Sequence, residues 1–229
     1  MSIGFDLIND LNLSPDDDFN WEDKATSLYC VVAGNISSDL YVIYKVLMHL
    51  SQLYQGVFYT PGKLEFKDIQ NYDRRISDIC RFAKKLKNVA VLYHHVVIID
   101  GIAILGSTGY YGDEDNDNFE IVHGKSIYED LIYLKSSLER LQKHIDVKNI
   151  LVVTGSIPNN KLFFGEKLGT YESLPELDTI CSYDLEKKIT HWVYGSNEKI
   201  VDTNINGINY LSNPYKGNPY WAKRIEITF

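Results

Sequence analysis

Short apolar runs alternate with longer amphipathic stretches through most of the chain. Residues 3–8 read as a first strand. Residues 28–33 form a continuous apolar run ending in Gly34-Asn35, the pattern of a strand buried on both faces. Residues 39–54 place Leu40, Ile43, Val46, Leu47, Leu50 and Leu53 on one face, which predicts a helix. Residues 57–60 predict another strand, stopped by Pro61-Gly62, and residues 74–86 a helix with a basic outer face. Residues 89–93, 96–99 and 102–106 predict one strand ladder, with Asp100-Gly101 at a two-residue hairpin turn. The next helix is expected to open on the capping-box pair Ser126 and Glu129. Its apolar seam would be Ile127, Leu131, Leu134, Leu138, Leu141 and Ile145. Residues 150–153 predict a strand; a short helix is expected after Tyr183, then a strand and turn over 191–195. Residues 199–203, 208–211 and 224–228 predict strands, the first two joined by an Asn206-Gly207 turn.

Strand–helix–strand units near the start imply parallel sheet with covering helices, and the later hairpins add antiparallel strands. An α/β fold with mixed sheets stacked between helices accommodates both. No repeat, linker or break in composition divides the sequence, so one domain over residues 1–229 is expected. Its 45% hydrophobic content is enough for a sizeable core.

Charge narrows the function classes. A net charge of −8 and a pI near 5.2 argue against a duplex nucleic-acid binder, which needs a basic face for phosphates. No apolar run is long enough for a membrane span, and the first residues lack a signal-peptide pattern, so a soluble cytoplasmic protein is expected. Cys30, Cys80 and Cys181 are odd in number and widely spaced, as reduced core residues are.

The candidate chemistry sits in loops at strand ends: Asp10-Leu11-Asn12, Gly34-Asn35, Gly62-Lys63-Leu64-Glu65, Thr154-Gly155-Ser156 and Gly195-Ser196-Asn197-Glu198. In order, spacing and flanking residues these loops resemble those of the calcineurin-like metallophosphoesterases, over nearly the whole chain. The resemblance implies a four-layer sandwich of two stacked mixed sheets flanked by helices. It also implies a two-metal site at the strand ends, where a metal-bound hydroxide attacks phosphorus. The family's first motif, Asp-x-His, falls on Asp10 and Asn12: the acid stays and the imidazole is lost. Gly-Asp falls on Gly34-Asn35, an amide in place of the bridging carboxylate. Gly-Asn-His-Glu falls on Gly62-Lys63-Leu64-Glu65, so a lysine replaces a metal ligand and a leucine replaces the histidine. The fourth motif's histidine has no counterpart around Gly155, and Gly-His-x-His falls on Gly195-Ser196-Asn197-Glu198 without either histidine. Ser212-Asn213-Pro214, followed by Gly217, matches the family's closing segment.

Taken together, the resemblance implies a kept scaffold with removed chemistry: no dimetal site, no cofactor and no catalytic residue. A binding or assembly role is then expected, with a protein partner and self-association. By analogy with small members encoded by bacteria and phages, a phage structural or host-interaction component would fit, located in the virion or the host cytoplasm. The alternatives are a rewired, metal-poor phosphoesterase and a non-catalytic phosphate or nucleotide binder. In the first, Asp10, Asn35, Lys63, Glu65, Ser196 and Glu198 converge, and Lys63 replaces a metal as electrostatic clamp.

Other features weigh less. Asp10 and Glu65 read as turn-capping or lysine-paired acids, Lys63 being an available partner. His94-His95 read as solvated or half-buried residues between two strands, on opposite faces, while His49, His123, His144 and His191 share no spacing. Asp16-Asp17-Asp18 reads as a solvated loop. Asp113, Asp115 and Asp117 start like a calcium loop, but the sixth position is Asn118 and the twelfth Gly124. Of 17 tyrosines, Tyr110, Tyr111, Tyr171, Tyr215 and Tyr220, the last beside Trp221, fall outside obvious core positions and suit an interface.

Overall fold

The computed structural model describes residues 2–69, 71–109, 119–162, 177–215 and 220–228, giving only the backbone path of 119–128 and 160. The chain runs β1 (Ser2–Ile8), β2 (Tyr29–Ala33), α1 (Leu40–Leu53), β3 (Gly56–Thr60), α2 (Tyr72–Ala83), β4 (Val89–Val91), β5 (His95–Ile99) and β6 (Ile102–Ser107). It continues with α3 (Phe119–Lys143), β7 (Asn149–Thr154), β8 (Ile189–Tyr194), β9 (Val201–Ile205), β10 (Ile208–Ser212) and β11 (Lys223–Thr228). Short 3-10 turns cover Lys63–Phe66, Asn160–Leu162 and Leu177–Tyr183.

Two mixed sheets result. One has five strands in the order β11-β1-β2-β3-β4, parallel except for β11; the other has six, β5-β6-β7-β8-β10-β9, with β5 and β9 antiparallel at its edges. Strand residues alternate between faces, and on the central strands β2, β3, β6 and β7 both faces are buried. On β2, Cys30 and Val32 pack under α1 and α2 with Val46, Leu50 and Ile79, whereas Val31 and Ala33 face the other sheet. On β7, Ile150 and Val152 pack under α3 with Leu134 and Leu138, and Leu151 and Val153 face the first sheet. That is why the parallel strands read as unbroken apolar runs. The layers are helices, sheet, sheet, helix, the sandwich expected from the sequence.

Several local expectations change. The predicted ladder of three strands is split: β4 closes the five-stranded sheet and β5 opens the other. Hydrophobic runs mark strands but not which sheet they join. The helix α3 begins at Phe119, so Ser126 lies inside it instead of opening it. It ends at Lys143, which leaves Ile145 beyond the seam and 81% exposed. The 3-10 turn precedes Asp184 and ends at Tyr183, where a short helix was expected to follow. Asp113–Asp117, Tyr110, Tyr111, Tyr171 and Gly217 lie outside the described residues, and His123 is described only in its backbone.

No helix among the described residues is long and apolar enough to cross a membrane. The three cysteines are free thiols.

Candidate functional site

Parallel strands β1, β2 and β3 of one sheet and β7 and β8 of the other end on the same edge of the sandwich, and their loops meet there. The loops touch backbone to backbone. A Cβ on Gly155 would stand 2.1 Å from the Pro61 carbonyl oxygen and 2.6 Å from the Gly62 Cα, and one on Gly62 would stand 2.9 Å from the Asn35 amide. Gly34 has a positive φ of 72° and faces the same two glycines. The glycines recognised in the sequence are thus the contact points between the sheets' loops, where no side chain fits.

Around this knot the structure brings together Asp10, Asn35, Glu65 and Ser196. Asp10 is buried with four donors: Asn35 Nδ2 at 2.6 Å and the Ser196 amide at 2.8 Å on Oδ1, Asn9 Nδ2 at 2.8 Å and the Asn197 amide at 3.2 Å on Oδ2. Asn35 Nδ2 also donates to Ser196 Oγ at 3.0 Å, its Oδ1 accepts the Leu64 amide at 2.8 Å, and Ser196 Oγ donates to the Gly155 carbonyl at 3.0 Å. Asp10, Asn35 and Ser196 all have positive φ, as does Asn12, so these polar residues sit on sharp turns at the strand ends.

Glu65 faces the other way, into the protein. It accepts from the amides of Ile36 at 2.6 Å, Asn35 at 3.0 Å and Gly62 at 2.8 Å, and from the Tyr59 hydroxyl at 2.9 Å. Of the two expectations for a strand-end acid, turn capping is the one Glu65 realises. Arg75 of α2 donates Nε to the Glu65 carbonyl at 2.7 Å and Nη2 to the Ser38 carbonyl, tying the helix to this turn. Burial pushes Asp10 up to about 6 and Glu65 up to about 7, against the pull of their donors.

The other expected members are less buried. Asn12 is exposed and its side chain turns back to the Asp10 carbonyl at 2.9 Å. Glu198 is exposed, its amide donating to Asn197 Oδ1. Of the six residues proposed to converge, Asp10, Asn35, Glu65 and Ser196 are brought together, and Glu198 is exposed. Lys63 and Leu64 are half-buried on the 3-10 turn. The sequence reading missed Asn9, gave Asn197 no role of its own within its loop and placed Tyr220 at an interface: Tyr220 accepts the Asn9 amide through its hydroxyl, and Asn9 Oδ1 accepts the Asn213 amide at 2.6 Å. The signal was available for Asn9 and Asn197, which adjoin Asp10 and Ser196. Tyr220 is buried, not an interface residue, although Trp221 beside it is 59% exposed.

Two histidines make specific contacts, His94 being half-buried as expected. His94 sits before β5 with positive φ, its Nε2 2.5 Å from Oδ1 of the buried Asp130 on α3. Asp130 also accepts from Thr108 Oγ1 and the Gly109 amide. His49 Nε2 accepts the Trp21 amide at 3.0 Å.

No protein-family model matches the sequence, and no curated protein matches it. Solved structures do match. Over 96% of this chain and 95% of the other, the structure is similar to the phosphopantetheinyl hydrolase of Mycobacterium tuberculosis (TM-score 0.62, 13% identity). The chain has a metallophosphoesterase-like fold. It is similar over 100% of its length, and 51% of the other's, to a 5'-nucleotidase from Staphylococcus aureus in complex with alpha-ketoglutarate (TM-score 0.59, 12% identity). It also resembles GAP50, the anchor in the inner membrane complex of Plasmodium, over 93% of this chain and 71% of that one (TM-score 0.58, 11% identity).

The family resemblance implies a pair of divalent metals at this edge. The residues present do not fit them. Among the described residues no group of three or more His, Cys, Asp or Glu side chains is placed to hold a metal. Both oxygens of Asp10 already accept from N–H groups, and Asn35 turns an NH2 toward Asp10 where a ligand set would offer lone pairs.

Proposed function

We propose that this protein uses a metallophosphoesterase-like fold for binding or assembly and does not hydrolyse phosphoesters. The Asn35 side chain carries the reading. With one amide it donates to Asp10 and Ser196 and accepts from Leu64, so the ligand positions satisfy one another. A dication entering there would meet N–H dipoles pointing the wrong way and would have to break at least two buried hydrogen bonds. The structural likeness to GAP50, described as an anchor, supports a scaffolding use of such a fold. The occupant would be a protein partner, self-association included.

The test is metal analysis of the purified protein together with hydrolysis of a generic phosphodiester in added manganese. Sub-stoichiometric metal and turnover no higher than buffer are expected. Robust turnover that disappears in Lys63→Ala or Asp10→Asn would overturn the proposal and establish the rewired enzyme. Mass in solution addresses self-association separately; a monomer at high concentration would remove that part alone.

A further inference from the structure

A second concavity lies beside the Asp10 loop. The long connection between β1 and β2 and the segment after β10 enclose a cavity of about 320 Å³, walled by the rings of Phe19, Trp21, Tyr215 and Tyr220 over Leu13. This volume is at the lower end for small-molecule sites. The rings form a continuous frame. Phe19 stacks on Trp21 at 5.8 Å and 7°, Tyr220 lies 5.7 Å from Trp21, and Tyr215 stands perpendicular to Tyr220 at 5.1 Å.

The polar ends of two of these rings are occupied inside the protein. Trp21 Nε1 donates to the Tyr54 hydroxyl at 2.8 Å, which in turn donates to Asp6 at 2.9 Å. The Tyr220 hydroxyl donates to the Asn213 carbonyl. Both rings are buried, 1% and 6% exposed, so the Trp21 face meets a ligand only where Lys24 moves away. The remaining polar wall is two carboxylates, Asp18 and Glu22, with the Asn20 amide and the Lys24 ammonium, and Asp16, Asp17 and Asp23 lie in the same connection. Negative ring faces and carboxylates both attract positive charge and repel phosphate. One cation already uses the wall: Lys24 Nζ stands 5.3 Å from the centroid of the Trp21 ring.

We infer that this cavity binds an organic cation of the alkylammonium class, its charge against the Phe19 ring and the Trp21 face that Lys24 now covers, and countered by Asp18 and Glu22. Lys24 is the resident ammonium that the ligand displaces. The acidic run and the late tyrosines, unconnected in the sequence, then have one purpose. The inference is independent of how the Asp10 cleft is read.

Calorimetric titration with tetramethylammonium, choline and a trimethyllysine peptide tests it, with 3,3-dimethylbutanol as the neutral analogue of choline. Choline is expected to bind at least about fivefold more tightly than the neutral analogue, the worth of roughly 1 kcal/mol of cation–π and charge attraction. Lys24→Met, which vacates the ring, is expected to tighten the cations several-fold. Asp18→Asn with Glu22→Gln, both at exposed positions, is expected to weaken them by a similar factor. Peptide binding in excess of choline binding would identify a protein side chain as the source; the reverse would identify a free metabolite. Equal binding of choline and its neutral analogue, or no heat from any cation in the wild type and Lys24→Met, would overturn the inference.

Discussion

At Glu65 four donors from three segments converge on one buried carboxylate. Replacement by glutamine sets an NH2 against at least one of them, and a buried donor without an acceptor costs about 1–3 kcal/mol. Glu65→Gln is therefore expected to lose roughly 2–4 kcal/mol in urea unfolding, since two donors are affected. Asn35→Asp should also destabilise: it puts a second carboxylate oxygen 2.6 Å from Asp10 in place of a donor. If added manganese restored its stability and produced turnover, the loss at this one position would be what removed the metal. Gly155→Ala should fail to fold or lose more than about 3 kcal/mol, because the new Cβ would sit 2.1 Å from a carbonyl oxygen. The pH dependence follows from burial. Asp10 and Glu65 are raised from 3.8 and 4.5 to about 6 and about 7, so the folded state holds protons that the unfolded chain releases. Their contribution is present at low pH and is lost as pH rises through about 6 to 7. Urea midpoints measured on either side of that window should fall toward alkaline pH, and the slope should be shallower in Glu65→Gln; a midpoint that rises would contradict the assignment.

Among elements, the helices were the most legible. The 3.6-residue spacing of Ile43, Val46, Leu47 and Leu50 placed α1, and all four are buried. Its start is fixed by Asp39, whose side chain accepts from the amides of Tyr41 and Val42. Asp39→Ala should cost about 1 kcal/mol in the same unfolding experiment. The strand runs were legible for a related reason: sheets covered on both faces need apolar residues at every position. The same property hid the crossing between β4 and β5. Val89–Val91 and His95–Ile99 are equally apolar, and nothing local distinguishes a partner in one sheet from a partner in the other. The early start of α3 was missed because the Asp113–Asp117 acids and the capping-box pair drew the boundary later.

The two sheets share one layer of side chains: Phe5, Val31 and Phe58 from one side, Ile104, Leu151 and Val193 from the other. Neither sheet could keep its inner face dry alone, so the chain should unfold as one cooperative unit. Calorimetric and van't Hoff enthalpies that agree would show this; two resolved transitions would divide the domain. Leu151→Ala, at the centre of that layer, should cost about 2–5 kcal/mol without splitting the transition.

Hydrophobic period and glycine position are local properties; they were enough for mixed sheets stacked between helices, and the family resemblance added the five loops at one edge. The residue types in those loops were equally plain, and they already argued against a metal pair. Only the tertiary structure decided which polar groups meet. Asn197 reaches Asp10 across 187 positions of chain, and the Asn213 amide reaches Asn9 across 204. It also gathered Phe19, Trp21, Tyr215 and Tyr220 into one wall and joined His94 to Asp130. Such contacts depend on where strand ends and turns come to rest after the core has packed. No pattern along the chain encodes them, because a hydrogen bond or a ring contact is set by the last ångström of a geometry that hydrophobic period leaves free.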